Sequence, residues 1–110
     1  MQPTQTGNWA IARTHPRYVI DVRIVVDCGG KSYGRTQNVS EGGVGATVPA
    51  NLKQGDIVQL TFQMPNADPL SISAEVRYAR GFQYGFQFVN ATAEQRSVIE
   101  RSTRNLKLAL

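Results

Sequence analysis

The feature that most constrains this chain is a two-residue alternation of apolar and polar side chains, repeated in short runs along most of its length. Successive side chains of a β-strand point to opposite faces, so this period predicts strands that are buried on one face. The chain is therefore predicted to be mainly β. The predicted strands cover residues 18–26, 32–37, 44–48, 58–64, 72–78 and 82–88.

Residues that favour tight turns separate these strands and predict antiparallel neighbours. Gly29 and Gly30 permit the positive φ angles of a hairpin between the first two strands, and Gly81 marks another hairpin between the last two. Pro49 and Pro65 end the third and fourth strands, because proline has no N–H to donate to a sheet. Short antiparallel strands leave two unpaired edges unless the sheet closes, so we predict a six-stranded antiparallel β-barrel.

A C-terminal α-helix is predicted at about residues 92–107. Thr92 followed by Gln95 has the spacing of a capping box, in which each side chain binds the backbone N–H of the other residue. Ile99 and Leu106 fall on one helical stripe, and charged residues occupy the other faces. We therefore expect the helix to cap the barrel with its apolar stripe.

One domain accounts for the whole pattern. The chain has 110 residues, of which 41% are hydrophobic, and can bury a core without disulfides or a structural metal. Residues 1–12 follow neither period and are predicted to form a flexible N-terminal arm, and residues 13–110 are predicted to form a single domain. The lone Cys28 excludes an internal disulfide, and we expect it to be a small apolar filler.

The apolar runs are too short for a membrane span, which needs roughly 18 residues. The polar first residues also lack the basic and apolar regions of a secretion signal. We therefore expect a cytoplasmic protein with no membrane contact. The net charge of +4 favours anionic partners in general but does not identify one.

The first motif that can carry chemistry is Arg13-Thr14-His15-Pro16-Arg17, where the arm meets the first strand. Pro16 disfavours a helix here, so the two arginines lie in an extended or looping segment that can close over the barrel. Guanidinium groups present planar forks of donors that match phosphate oxygens and the O6 and N7 acceptors of guanine. The alternative is a pair of solvated surface arginines.

The second motif is the turn Asn38-Val39-Ser40-Glu41-Gly42-Gly43, between the second and third predicted strands. Asn and Ser side chains can bind a ligand or the nearby backbone, and glycines let a ligand approach the main chain closely. The alternative is an ordinary polar turn. Each motif alone leaves both interpretations open.

Together, the two motifs resemble the double signature of PilZ domains: Arg-x-x-x-Arg enters the first strand, and Asn-x-Ser-x-x-Gly follows the second strand. The segment Tyr84-Gly85-Phe86 resembles the closing strand of the same family. The resemblance implies a six-stranded barrel whose mouth binds cyclic di-GMP, a bacterial second messenger. It also implies these ligand-binding residues: Arg13, Arg17, Asn38, Ser40 and Gly43.

The resemblance has two departures. Asn38 replaces the more frequent Asp of the family, which removes a negative charge and changes the donors and acceptors at that position. Family members often carry additional arginines beside the first motif, whereas here Ala12 precedes Arg13 and Tyr18 follows Arg17.

Four further residues are weaker candidates for the ligand site. Tyr78 is predicted on the core face, but near a barrel mouth its ring can stack on guanine, and Arg77 can add positive charge. Gly42 lies in the second motif, and His15 lies between the two arginines. No Cys or other His accompanies His15, so neither a metal nor a cofactor is expected.

The resemblance implies a receptor or adaptor that binds cyclic di-GMP and has no catalytic activity. No nucleophile with its base, paired carboxylates or phosphate-binding loop is recognisable. We expect the ligand to order the arm and thereby signal to a protein partner.

Two alternatives belong to other classes of function. One is a basic barrel that binds single-stranded nucleic acid, which is disfavoured because Phe82, Tyr84, Phe86 and Phe88 share the parity of the predicted core. The other is a PilZ-like protein-interaction module that binds no nucleotide, which the presence of both motifs disfavours.

Overall fold

The computed structural model describes residues 15–109, so the predicted arm at residues 1–12 and Arg13 lie outside the described part of the chain. The described residues form seven strands and one helix. These are β1 (Tyr18–Val19), β2 (Arg23–Asp27), β3 (Lys31–Val39), β4 (Gly43–Thr47), β5 (Ile57–Gln63), β6 (Pro69–Arg80), β7 (Gln83–Val89) and α1 (Ala93–Thr103).

Six of the strands close into a barrel. The strand order is β1-β3-β2-β5-β6-β7-β4. An additional pairing of β3 with β4 closes the six strands from β2 to β7 into a ring. Every pairing is antiparallel. β1 lies outside the ring and pairs with β3. The predicted six-stranded antiparallel barrel with a C-terminal helix is confirmed.

The core fills the ring with the apolar members of the alternating strands. β5 shows the pattern most simply, since Val58, Leu60 and Phe62 are buried and the residues between them are exposed. Ile99 of α1 belongs to the same core cluster and is fully buried. The helix therefore contributes to the barrel core through Ile99, as its apolar stripe predicted. It ends at Thr103, so the predicted end near residue 107 is wrong and Leu106 lies beyond the helix.

α1 begins with the predicted capping box. The backbone N–H of Gln95 donates to the Thr92 hydroxyl at 3.0 Å, and the backbone N–H of Thr92 donates to the Gln95 side chain at 2.9 Å. The Gln95 amide also donates to the backbone oxygen of Ser71 at 3.0 Å, which ties the first turn of the helix to β6. In residues 15–109, no helix is long and apolar enough to cross a membrane.

The prediction of one continuous strand over residues 18–26 is wrong, because regular pairing stops between β1 and β2. The buried hydroxyl of Thr36 in β3 accepts from the Val22 N–H at 2.9 Å and donates to the Ile20 carbonyl at 3.0 Å. A side chain thus takes the place of a regular backbone partner at the break. β1 and β2 therefore pair with different parts of β3, β1 with residues 38–39 and β2 with residues 31–35.

Two aromatic residues predicted in the core lie outside it. The pairing of β6 with β7 shifts register between Val76 and Tyr78, and Tyr78 is 37% exposed. An extra residue in one strand turns the following side chains to the opposite face. Phe82 lies in the turn between β6 and β7 and is 54% exposed.

Cys28 is also exposed, in the turn between β2 and β3, so its predicted role as an apolar filler is wrong. The turn lies beyond the end of the buried alternation, where no core surrounds the side chain.

Candidate functional site

The short strand β1 brings the two sequence motifs together. Val19 pairs with Asn38 and Tyr18 with Val39, so Arg17 enters the sheet beside the end of β3. Nη1 of Arg17 donates a hydrogen bond to Oδ1 of Asn38 at 2.7 Å. Arg17 of the first motif and Asn38 of the second are therefore in direct contact.

Ser40 organises the turn that contains the second motif. Its hydroxyl oxygen accepts from the backbone N–H groups of Gly42 at 3.1 Å and Gly43 at 3.2 Å. Its own N–H donates to the Gly43 carbonyl at 2.8 Å, and the residue is only 4% exposed. Ser40 thus holds the shape of the turn from within, which agrees with the alternative interpretation of this motif as a polar turn.

Gly43 and Gly42 have different surroundings. A Cβ at Gly43 would lie 2.2 Å from the Phe86 carbonyl oxygen, so β4 and β7 can approach this closely because Gly43 has no side chain. A Cβ at Gly42 would lie 3.3 Å from Cδ2 of His15. His15 of the first motif therefore lies against the turn of the second.

The outer surface of the barrel carries a row of aligned positions that begins at the Arg17–Asn38 contact. Strand pairing joins Val19 to Asn38, Asn38 to Gly45, Gly45 to Gly85, and Gly85 to Tyr78. Directly paired residues of antiparallel strands point to the same face. We call this row the glycine face: Val19, Asn38, Gly45, Gly85 and Tyr78.

The two central glycines let their neighbours lie flat on the sheet. A Cβ at Gly45 would lie 3.0 Å from Oδ1 of Asn38, and a Cβ at Gly85 would lie 2.1 Å from Cε1 of Tyr78. The Asn38 amide and the Tyr78 ring thus extend toward each other over bare backbone. The result is a low surface with a polar side chain at one end and an aromatic ring at the other.

The sequence interpretation missed the role of Gly45 and of Val19, and it used Gly85 only as a mark of the family. A signal was present, because glycine stands at outward positions of two strands, β4 and β7, that pair with each other. Val19 is 48% exposed. The prediction of one continuous first strand gave no reason to place Val19 in a site.

Basic side chains of β6 lie next to the glycine face. Arg77 and Arg80 are exposed on either side of Tyr78, and Arg77 donates a hydrogen bond to the side chain of Gln87. Arg35 lies one row away but is engaged by Asp21 at 2.8 Å. Among residues 15–109, Arg17, Arg77 and Arg80 bring positive charge to the glycine face.

A cleft of about 230 Å³ lies on the other side of the first motif. Its walls contain both acidic and basic side chains. Residues 15–109 contain no group of three or more side chains that could hold a metal ion. The cleft separates the motif segment from the end of α1. Its lining residues are His15, Pro16, Tyr18, Glu41, Glu100, Thr103 and Arg104.

Comparisons with known proteins agree with this architecture. The family model described as "PilZ domain" matches residues 12–105. No curated protein matches the chain. The fold is similar to that of the PilZ domain of YcgR from Escherichia coli, solved with c-di-GMP, with a TM-score of 0.72 and 17% identity over 86% of this chain and 90% of that one.

Two further solved structures share the fold. Inhibitor of motility (MotI/DgrA) from Bacillus subtilis matches with a TM-score of 0.74 and 13% identity over 83% of this chain, which spans only 48% of that protein. The PilZ domain of CeSA from a cellulose-synthesizing bacterium matches with a TM-score of 0.64 and 18% identity over 79% of this chain and 93% of that one. With a family model that covers nearly all of the described barrel and helix, the chain belongs to the PilZ domain family.

Proposed function

We propose that this protein is a receptor for cyclic di-GMP, and that it binds this ligand across the Arg17–Asn38 contact and the glycine face. The observation that supports the proposal most directly is the 2.7 Å hydrogen bond between Arg17 and Asn38. It places a guanidinium from one family motif against the amide of the other, at the end of an open, low surface.

The chemistry of Arg17 suits this ligand. Cyclic di-GMP has two phosphates and two guanines, and a guanidinium can bind either group through paired donors. Asn38 is neutral, so its hydrogen bond to Arg17 adds no negative charge at the contact. A carboxylate at position 38 would form a stronger, charge-assisted contact that an anionic ligand would have to replace.

The glycine face supplies a place for a base. The Tyr78 ring lies over Gly85, and stacking of a base on an aromatic ring is worth about 1–3 kcal/mol. Gly45 and Gly85 let the Asn38 amide and the Tyr78 ring lie low on the sheet, so a planar group can stack on the ring from the solvent side. Arg77 and Arg80 contribute further positive charge beside the ring.

The other predicted ligand residues take secondary positions in this proposal. Ser40 and Gly43 shape the turn beside Asn38, and Gly42 and His15 lie where that turn meets the first motif. Arg13, four residues before Arg17, is proposed as the second arginine that binds phosphate. Ligand-driven ordering of the arm then presents a new surface to a protein partner in the cytoplasm.

PilZ domains are receptor or adaptor domains, and we propose no catalytic role for this one. Calorimetric titration of the wild-type protein with cyclic di-GMP tests the proposal, with GMP as the control for a single guanine and a single phosphate. We expect saturable binding of cyclic di-GMP and much weaker binding of GMP. No heat of binding with cyclic di-GMP would contradict the proposal.

One observation favours a second candidate, which is single-stranded nucleic acid. Tyr78 and Phe82 are exposed beside Arg77 and Arg80, and aromatic platforms with positive charge bind single strands. Titration with a short single-stranded RNA at several salt concentrations separates the two ligands. Binding to a nucleic-acid backbone falls steeply with salt in proportion to the number of phosphates contacted. Tight, salt-sensitive binding of RNA without binding of cyclic di-GMP would favour this second function.

A further inference from the structure

The residues that follow α1 return to the first motif and pair with it. The backbone N–H of Ala109 donates to the carbonyl of Arg17 at 2.8 Å, and the N–H of Val19 donates to the carbonyl of Lys107 at 2.7 Å. Between these bonds, Tyr18 and Leu108 form an antiparallel bridge. We call residues 107–109 the C-terminal tail.

The tail binds the edge of β1 that faces away from β3. β1 contains only two residues, and its pairing with β3 covers only Tyr18 and Val19. A two-residue strand at the edge of a sheet is weakly held by its own ladder. With the tail on one side and β3 on the other, residues 17–19 become the middle of a three-stranded arrangement.

Arg17 is the residue on which these contacts meet. Its carbonyl accepts the hydrogen bond from the tail, and its guanidinium donates to Asn38 on β3. The tail itself is connected to the barrel through α1, whose Ile99 is fully buried. A series of contacts therefore connects the core, through the helix and the tail, to the backbone of Arg17.

We propose that the C-terminal tail is a positioning element for Arg17, so that pairing of the tail and binding of cyclic di-GMP strengthen each other. This inference rests on the proposed function. Coupling of two equilibria is reciprocal, so a tail that favours the ligand-binding position of Arg17 must itself be held more firmly when the ligand is bound.

A single backbone donor provides the test. Ala109→Pro removes the N–H that binds the Arg17 carbonyl, whereas the matched control Ala109→Ser retains it. We expect calorimetry to give an affinity for cyclic di-GMP that is roughly three- to tenfold weaker for Ala109→Pro, the effect of one net hydrogen bond, and unchanged for Ala109→Ser. Thermal unfolding of both variants checks that the barrel remains folded.

A double-mutant cycle distinguishes positioning of Arg17 from a general loss of structure. In the Arg17→Ala background, Ala109→Pro should have little further effect on affinity, because the side chain that the tail positions is already absent. Equal losses in both backgrounds would contradict the inference. Hydrogen exchange gives an independent readout, since bound ligand should slow exchange of the Val19 and Ala109 amides.

Removal of residues 107–110 is a second variant in case the proline disrupts folding. This truncation deletes both tail hydrogen bonds, and it should weaken binding more than Ala109→Pro does. If the wild-type protein binds cyclic di-GMP and both tail variants bind it equally well, the inference is overturned and the proposed function stands. If the wild-type protein does not bind, both are overturned.

Discussion

Substitution of Gly85 by alanine tests whether the Tyr78 ring must lie flat for the ligand to bind. The added Cβ would lie 2.1 Å from Cε1 and 2.4 Å from Cδ1 of Tyr78. Non-bonded carbon atoms prefer separations of about 3.5–4.0 Å, so the ring must move by roughly 1.5 Å. Because Tyr78 is 37% exposed on the outer surface, the ring can lift toward solvent while the core stays intact.

Two magnitudes follow from this geometry. Displacement of the Tyr78 ring from its rotamer should lower the free energy of unfolding by about 0.5–1.5 kcal/mol. Loss of the flat ring removes a base-stacking contribution of about 1–3 kcal/mol, so the affinity for cyclic di-GMP should fall by roughly 5- to 150-fold. Denaturant unfolding measures the first quantity, and calorimetry measures the second.

The Tyr78→Ala background supplies the control, because it removes the atoms that the new Cβ would meet. In that background Gly85→Ala should be neutral or should stabilise the fold by about 0.4–1 kcal/mol, since alanine restricts the unfolded chain more than glycine does. A loss of stability of equal size in both backgrounds would refute the steric explanation. Unchanged affinity of the Gly85→Ala single variant would refute the role of the Tyr78 ring in binding.

Three further variants test other parts of the structure. Arg17→Ala should weaken binding of cyclic di-GMP at least tenfold, because a hydrogen bond to a charged group is worth roughly 1.5–3 kcal/mol, and unchanged affinity in calorimetry would remove Arg17 from the site. Gly43→Ala should destabilise the barrel by about 3 kcal/mol, because its Cβ would lie 2.2 Å from the backbone oxygen of Phe86. Denaturant unfolding measures this loss, and a loss near zero would show that β4 and β7 can separate easily. Thr36→Val should lower the free energy of unfolding by about 1–3 kcal/mol, because it leaves buried backbone groups unsatisfied between β1 and β2, and wild-type stability would contradict the bridging role of the hydroxyl.

Contact between the two motifs could be anticipated only in part from their sequence. Their order and strand context indicated the family, and the family implied a shared site. The contact itself depends on β1 leaving the regular ladder and pairing with the end of β3. This path depends on Thr36, whose hydroxyl bridges the break between β1 and β2. Nothing in the alternation of residues 18–26 indicates that a side chain from another strand interrupts it.

The exposure of Tyr78 could not be predicted for a related reason. Its parity in the strand places it on the core face, and the structure turns it outward after the register shift that follows Val76. Such a shift adds one residue to one strand without a marker at that position in the sequence. The weaker prediction, that Tyr78 lies near the ligand, remains a prediction, and it agrees with the place of the ring on the glycine face.

The amino-acid sequence by itself determined the strand-rich fold, the closing helix and the family, because side-chain period and capping residues act within a few neighbouring positions. Only the tertiary structure decided which residues share the outer face, how Arg17 reaches Asn38 and what the C-terminal tail contacts. Closure of the barrel sets these features through register shifts and through pairings between strands that are distant in the chain. These pairings join residues that are far apart in the chain, and one extra residue in a strand changes which of them face each other.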